Sequence, residues 1–90
     1  MCDDMYYTYV LYSKKLTKRY VGVTEFLAER LGQHLQKQTP FTRRAGDWKL
    51  VYYEAFLSKV DAYAEEKFLK SGKGRERLKF LLRDTMKVLE

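Results

Sequence analysis

One cysteine, one proline and one histidine are all that the 90 residues contain of those types, and each scarcity removes a class of chemistry. With Cys2 alone, no intrachain disulfide forms and no thiolate metal centre assembles, which predicts a reducing, cytoplasmic setting. A lone histidine, His34, excludes a His-Glu-x-x-His zinc helix, and neither a nucleophile elbow nor a Gly-rich phosphate loop with a following Lys-Ser/Thr occurs. No apolar run approaches a membrane span, and the opening Met-Cys-Asp-Asp-Met lacks the basic and apolar regions of a secretory signal. The short chain limits the expected organisation to one domain over residues 1–90.

What is abundant is aromatic and basic. Hydrophobic residues make up 46% and aromatic residues 16%, with eight tyrosines, so the chain has apolar material for a core without disulfides or a structural metal. Eighteen Lys and Arg against twelve Asp and Glu give a net charge of +6, which favours a polyanionic partner and nucleic acid first; surplus lysine also serves solubility.

Residues 5 to 12 are β-branched and aromatic almost throughout and predict a central strand, covered on both faces. Residues 13 to 19 form a basic loop carrying Lys14, Lys15, Lys18 and Arg19, and strand character resumes at Tyr20-Val21-Gly22-Val23, so the two strands form a hairpin. Thr24 caps a helix reaching about Lys37, with Leu27, Leu31 and Leu35 as its packing stripe. The stretch 38–47, with the only proline and the pair Arg43-Arg44, is a loop, and 48–56 is a third strand. Ser58 and Asp61 open a helix to about Lys70, Ser71-Gly72-Lys73-Gly74 ends it, and 75–88 is a last amphipathic helix. The expectation is an α+β fold: a small three-stranded antiparallel sheet flanked by helices, in the order β-β-α-β-α-α.

Several polar residues sit on elements that are otherwise apolar. Tyr9 and Tyr20 lie on paired strands, where a hairpin can bring their hydroxyls to one face, although either is equally an ordinary sheet tyrosine. Arg30 and His34, four apart, share a face of the first helix, as solvated surface residues also do. Glu66 has Ala62, Tyr63 and Leu69 as helical neighbours and faces the apolar side, where it needs a cation, a metal ion or Lys70 as partner, whereas Glu65 falls beside Asp61.

Taken in order, Tyr7-Thr8-Tyr9, Tyr20-Val21-Gly22-x-Thr24, Leu27-x-x-Arg30-Leu31-x-x-His34 and Ala62-x-x-x-Glu66-x-x-Leu69-Lys70 resemble the GIY-YIG nuclease superfamily. The match is similar to the small stand-alone branch related to the nuclease domain of the excinuclease C subunit, which Trp48-Lys49-Leu50-Val51-Tyr52-Tyr53-Glu54 and Leu69-Lys70-Ser71-Gly72-Lys73-Gly74-Arg75-Glu76 also resemble. Tyr7-Thr8 stands where the family name has Gly-Ile, Val21 replaces the isoleucine, and Val23 takes the place of a lysine in excinuclease-type members.

The resemblance implies a metal-dependent endonuclease acting on DNA phosphodiester bonds, structure-dependent or weakly sequence-specific, as in DNA repair, with any targeting supplied by a separate subunit. It implies that Glu66 holds a single Mg²⁺ or Mn²⁺, with most coordination from water and phosphate. Arg30 would stabilise the charge on the phosphoryl oxygens, and Tyr9 would orient the attacking water. Tyr20 and His34 are alternative general bases. Lys14, Lys15, Lys18, Arg19, Arg43, Arg44, Lys70, Lys73 and Arg75 would contact the DNA backbone, positioning it without reading sequence. The alternative function is a catalytically silent nucleic-acid-binding module of the same fold.

Overall fold

The computed structural model describes residues 5–35 and 45–89, with side chains described to Gln33 in the first stretch. Three strands, β1 (Tyr6–Ser13), β2 (Lys18–Thr24) and β3 (Lys49–Phe56), form an antiparallel sheet in the order β2-β1-β3. The expected central strand is therefore central. Four helices accompany it: α1 (Leu27–Leu35), α2 (Lys59–Leu69), α3 (Gly72–Leu81) and α4 (Arg83–Leu89). None of the described helices is long and apolar enough to cross a membrane.

Alternation along β1 sends its side chains to two different layers. Tyr9 and Leu11 pack with Trp48, Leu50, Leu27 and Leu31, so α1 covers one face. Val10 packs with Val21, Leu69, Leu78 and Leu82, so α2, α3 and α4 cover the other. Thr8, fully buried on that second face, donates its hydroxyl to the Ala62 carbonyl at 2.8 Å and pins α2 to the centre of the sheet. β1 and β3 change register between Val10 and Leu11: Val10 opposes Tyr52, while Leu11 opposes Leu50. Val51 is the extra residue of this bulge, and it lets two successive residues, Val51 and Tyr52, both pack on the α2–α4 layer.

The basic hairpin loop is tied down by an acid from outside it. Asp47 accepts from Ser13 Oγ at 2.6 Å and from the Lys15 backbone N–H at 2.9 Å, and Ser13 Oγ accepts from the Leu16 N–H. These bonds hold the Asp47 carboxyl below its usual pKa, Ser13 contributing most and the Lys15 backbone next. Thr17 closes the turn at φ 52°, a left-handed conformation that a β-branched residue seldom adopts.

Boundaries differ from expectation in physically instructive places. Lys18 and Arg19 belong to β2, opposite Ser13 and Tyr12, not to the loop. Thr24 Oγ1 accepts from the Phe26 N–H as expected of a local cap, but the regular helix starts at Leu27. The helix end expected near Lys37 lies outside the described residues. Ser71-Gly72-Lys73-Gly74 does not merely end α2: Ser71 caps α3 by accepting from the Gly74 N–H at 3.2 Å, and the glycines lie in the first turn of α3. A side chain at Gly74 would collide with the backbone of Phe68 and Leu69, so glycine there permits α3 to start hard against the end of α2. The single last helix expected over 75–88 is two helices broken at Leu82, where the Arg83 guanidinium donates to the Phe80 carbonyl at 2.7 Å and satisfies an end of α3.

Candidate active site

Four of the five predicted site residues lie around the Tyr9 hydroxyl, Tyr20 bonded to it and Arg30 and Glu66 near enough for their charges to act on it. Tyr9 of β1 lies directly opposite Gly22 of β2, and its ring occupies the space that a Cβ at Gly22 would need: such a carbon would stand 2.5 Å from the Tyr9 hydroxyl oxygen and 2.7 Å from Cζ. Glycine thus lets the Tyr9 side chain cross its neighbouring strand towards the sheet edge. There it meets Tyr20, whose ring centroid is 6.2 Å away at an interplanar angle of 38°. The two hydroxyls are hydrogen-bonded, and Arg30 from α1 and Glu66 from α2 both act electrostatically on the Tyr9 hydroxyl. Strand, hairpin partner and two helices on opposite faces of the sheet each contribute one side chain.

The environment sorts the two phenols. Tyr9 is 1% exposed, and its pKa is raised, chiefly by burial and then by Tyr20, with Arg30 opposing the shift; the Tyr9–Tyr20 bond and Glu66 also raise it. It stays a protonated donor through the physiological range. Tyr20 is half-buried on the edge strand, beside open space.

Glu66 carries out the ion pair with Lys70, Nζ to Oε2 3.0 Å, between side chains that are 22% and 55% exposed respectively. Among the described residues, no group of three or more His, Cys, Asp or Glu could together hold a metal ion. What Glu66 offers is one hard carboxylate. That donor set fits a Mg²⁺-like cation, which keeps several waters and needs only one or two carboxylates plus substrate phosphate.

Two hollows flank this point. The larger, about 800 Å³, takes in Lys18 to Val21 from β2 and Leu69 and Lys70 from the end of α2; the smaller, about 220 Å³, takes in Val23 and Thr24 from β2 and Lys59 and Tyr63 from the start of α2. Gly22 and Glu66 fall between the two sets on their respective elements. Arg30 lines the smaller hollow.

The predicted basic contacts divide accordingly. Lys18, Arg19, Lys70 and Arg75 line the larger hollow, whereas the exposed Lys14, Lys15 and Lys73 line neither. Arg43 and Arg44 lie outside the described residues, as does the His34 side chain, although its backbone belongs to α1. Lys59 and Tyr63 beside Arg30, and Tyr12 and Lys79 in the larger hollow, went unnoticed in the sequence. Their i, i+4 spacing on α2 was the available signal for the first pair, with Lys59 Nζ 6.0 Å from the Tyr63 ring centre.

One acid is placed differently from expectation. Glu65, expected beside Asp61, turns half-buried towards Glu54 of β3 and Tyr52. Its pKa is pushed up to about 7 by a hydrogen bond with Glu54, then by burial and by the Glu54 charge, with Arg77 opposing. Glu54 Oε1 is buried and has no hydrogen-bond partner among the described residues. A proton shared between the two carboxyls relieves their repulsion. The same pocket of charge, after burial, pushes Tyr52 up to about 12.

A profile of the GIY-YIG catalytic domain matches residues 5–79. A UPF0213 protein of Limosilactobacillus reuteri is 36% identical over 85 residues, covering 91% of this chain and 88% of that protein. A UPF0213 protein of Pediococcus acidilactici is 35% identical over 82 residues, covering 88% and 83%. The solution NMR structure of a UPF0213 protein from Bacillus halodurans superposes with a TM-score of 0.54 at 31% identity, over 86% of this chain and 84% of that one. A family profile over residues 5–79 and relatives more than 30% identical over most of both chains place the chain in the GIY-YIG catalytic domain family, to which it belongs.

Proposed function

We propose that the protein is a divalent-metal-dependent endonuclease that hydrolyses DNA phosphodiester bonds with structural or weak sequence preference, carried by one domain. Membership of the GIY-YIG catalytic domain family supports a nuclease-like function and a nucleic acid substrate. The observation that carries the finer reading is the convergence of a buried phenol, a half-buried phenol, a guanidinium and a carboxylate at one sheet edge.

Each residue has a role that follows from its placement. Arg30, a planar fork of donors in the smaller hollow with Lys59, would hold the phosphoryl oxygens and offset charge that builds there in the transition state. Tyr20 would take the proton of the attacking water, with His34 as the alternative base. Tyr9 is too buried to meet that water; it donates to Tyr20 and fixes the direction in which the Tyr20 oxygen is presented, so it acts as a positioning residue. Glu66 would hold the cation, exchanging its contact with Lys70 for it and freeing that ammonium for a phosphate. The bound ion would supply Lewis-acid polarisation of the phosphate.

Cleavage of nicked, branched and single-stranded DNA by wild type and Glu66→Ala, with Mg²⁺, Mn²⁺ or chelator, tests this. The Glu66–Lys70 pair is a partly exposed helical pair worth at most about 0.5 kcal/mol, so the variant should fold normally. Metal-dependent cutting that Glu66→Ala abolishes, with DNA binding retained, is the expected result. Wild type that binds DNA and cuts nothing under any metal would replace the enzyme with a catalytically silent binding module.

A further inference from the structure

We propose that the larger hollow beside Tyr20 is a nucleotide pocket, which takes one unpaired base of the strand whose phosphodiester bond lies at Tyr20 and Glu66. The inference rests on the nuclease reading for that strand's path but adds a subsite and a substrate feature to it.

The hollow has the size and the two-part chemistry of such a site. At about 800 Å³ it lies within the roughly 300–1,000 Å³ of small-molecule pockets. Its rim carries Lys18, Arg19, Lys70, Arg75 and Lys79, and no acid among the described residues lines it. Its floor is apolar: Val21 from β2, Leu69 from α2, Leu78 from α3 and Met86 from α4. Tyr12 and Tyr20 add aromatic surface. A purely electrostatic track for a duplex backbone needs the rim and has no use for the floor. A base removed from its stack needs both, an apolar or aromatic bed for its face and cations for the phosphates on either side.

Position supports the same occupant. Tyr20 lines the hollow and also contacts Tyr9, so a nucleotide held there is the immediate neighbour of the proposed cutting point. Arg19 reinforces the anionic preference, because its half-buried side chain lines the hollow beside Tyr20.

The test compares two DNA probes of equal length and phosphate number, an oligothymidylate and an oligomer of abasic residues, by fluorescence anisotropy at one salt concentration with chelator present. Equal charge removes the electrostatic contribution from the comparison. Wild type should prefer the probe with bases by about tenfold or more, the scale of one base stacked on a protein surface. Met86→Trp, which fills the floor and leaves the rim intact, should lose the preference while still binding the abasic probe. Since Met86 also packs on the core, a second measurement uses the wild type alone: a photo-activated 5-iodouracil oligomer should cross-link to Tyr12 or Met86.

Equal affinity of wild type for both probes, or cross-links confined to the α1 side of the sheet, would overturn the pocket. Such a result alongside metal-dependent cleavage leaves the nuclease standing. Base preference with cross-links in the hollow, but no cleavage under any metal, upholds the pocket and removes the nuclease.

Discussion

Replacing Gly22 by alanine should disable the protein through Tyr9, a residue on another strand. The added Cβ would stand 2.5, 2.7 and 3.0 Å from the hydroxyl oxygen, Cζ and Cε1 of Tyr9, against an ordinary contact of at least 3.4 Å. The ring must therefore withdraw by roughly 0.9 Å, the difference between 3.4 and 2.5 Å. It is 1% exposed and packed with Tyr20, Leu27 and Leu31, so it has little room to do so. Overpacking costs about 1–3 kcal/mol, about 2–3 for a ring this confined, and alanine recovers about 0.5–1 kcal/mol of backbone entropy, leaving a net loss of about 1–2.5 kcal/mol. For a domain of this size that lowers Tm by about 5–20 °C. Cleavage should fall further than stability, by about a hundredfold, because a displacement near 1 Å is enough to spoil reacting geometry. Thermal melting and single-turnover cleavage measure the two effects, and Tyr9→Leu should make a second change to Gly22→Ala nearly neutral for stability. A Gly22→Ala protein that melts within about 2 °C of wild type and cuts at an undiminished rate would refute the steric argument.

Other consequences are open to simpler measurements. Glu65 has a folded-state pKa raised from 4.5 to about 7, so the stability its shared proton contributes is complete below pH 4.5 and is lost as pH rises through 7. Wild type should therefore lose stability against Glu65→Gln between pH 5 and 8 in denaturant titrations, and parallel pH profiles would contradict the shared proton. Thr17→Gly removes a left-handed threonine and should raise stability by about 0.5–1 kcal/mol, after the entropic cost of glycine, visible as a higher Tm. Thr8→Val should cost about 1 kcal/mol by deleting the buried bond to Ala62, and hydrogen exchange should show α2 opening more often; unchanged protection would place the anchor of α2 elsewhere.

The parts of the fold that sequence disclosed are those set by local pattern. Unbroken apolar and aromatic character put β1 in the centre, and the leucines at 27 and 31 identified the packing face of α1. The break at Leu82 was hidden because Leu78, Leu81, Leu82 and Met86 keep a helical rhythm across it, all contributing to one core cluster. The bulge at Val51 was equally silent, since it depends on which β1 residue each β3 residue meets. For the candidate site, ordered motifs pointed to Tyr9, Tyr20, Arg30 and Glu66, but the approach of Tyr9 to Tyr20 depends on a glycine opposite a tyrosine, a relation that only the strand register reveals. The pairing of Glu54 with Glu65 was hidden for the same reason: a strand residue and a helix residue become neighbours only when α2 lies across the sheet.

The bulge also decides where the chain tolerates a change in length. In a regular strand, losing one residue turns every later side chain to the wrong face. Around Val51 the pairing on either side is already offset by one, so its deletion would join Leu50 and Tyr52 as successive partners of Leu11 and Val10, in regular antiparallel register. The cost is one partly buried valine from the α2–α4 layer, with Trp48 and Tyr53 still on their present faces. Shortening the chain at the middle of an inner ladder is here a packing defect, whereas shortening it at Gly22 would part Tyr9 from the edge where it meets Tyr20.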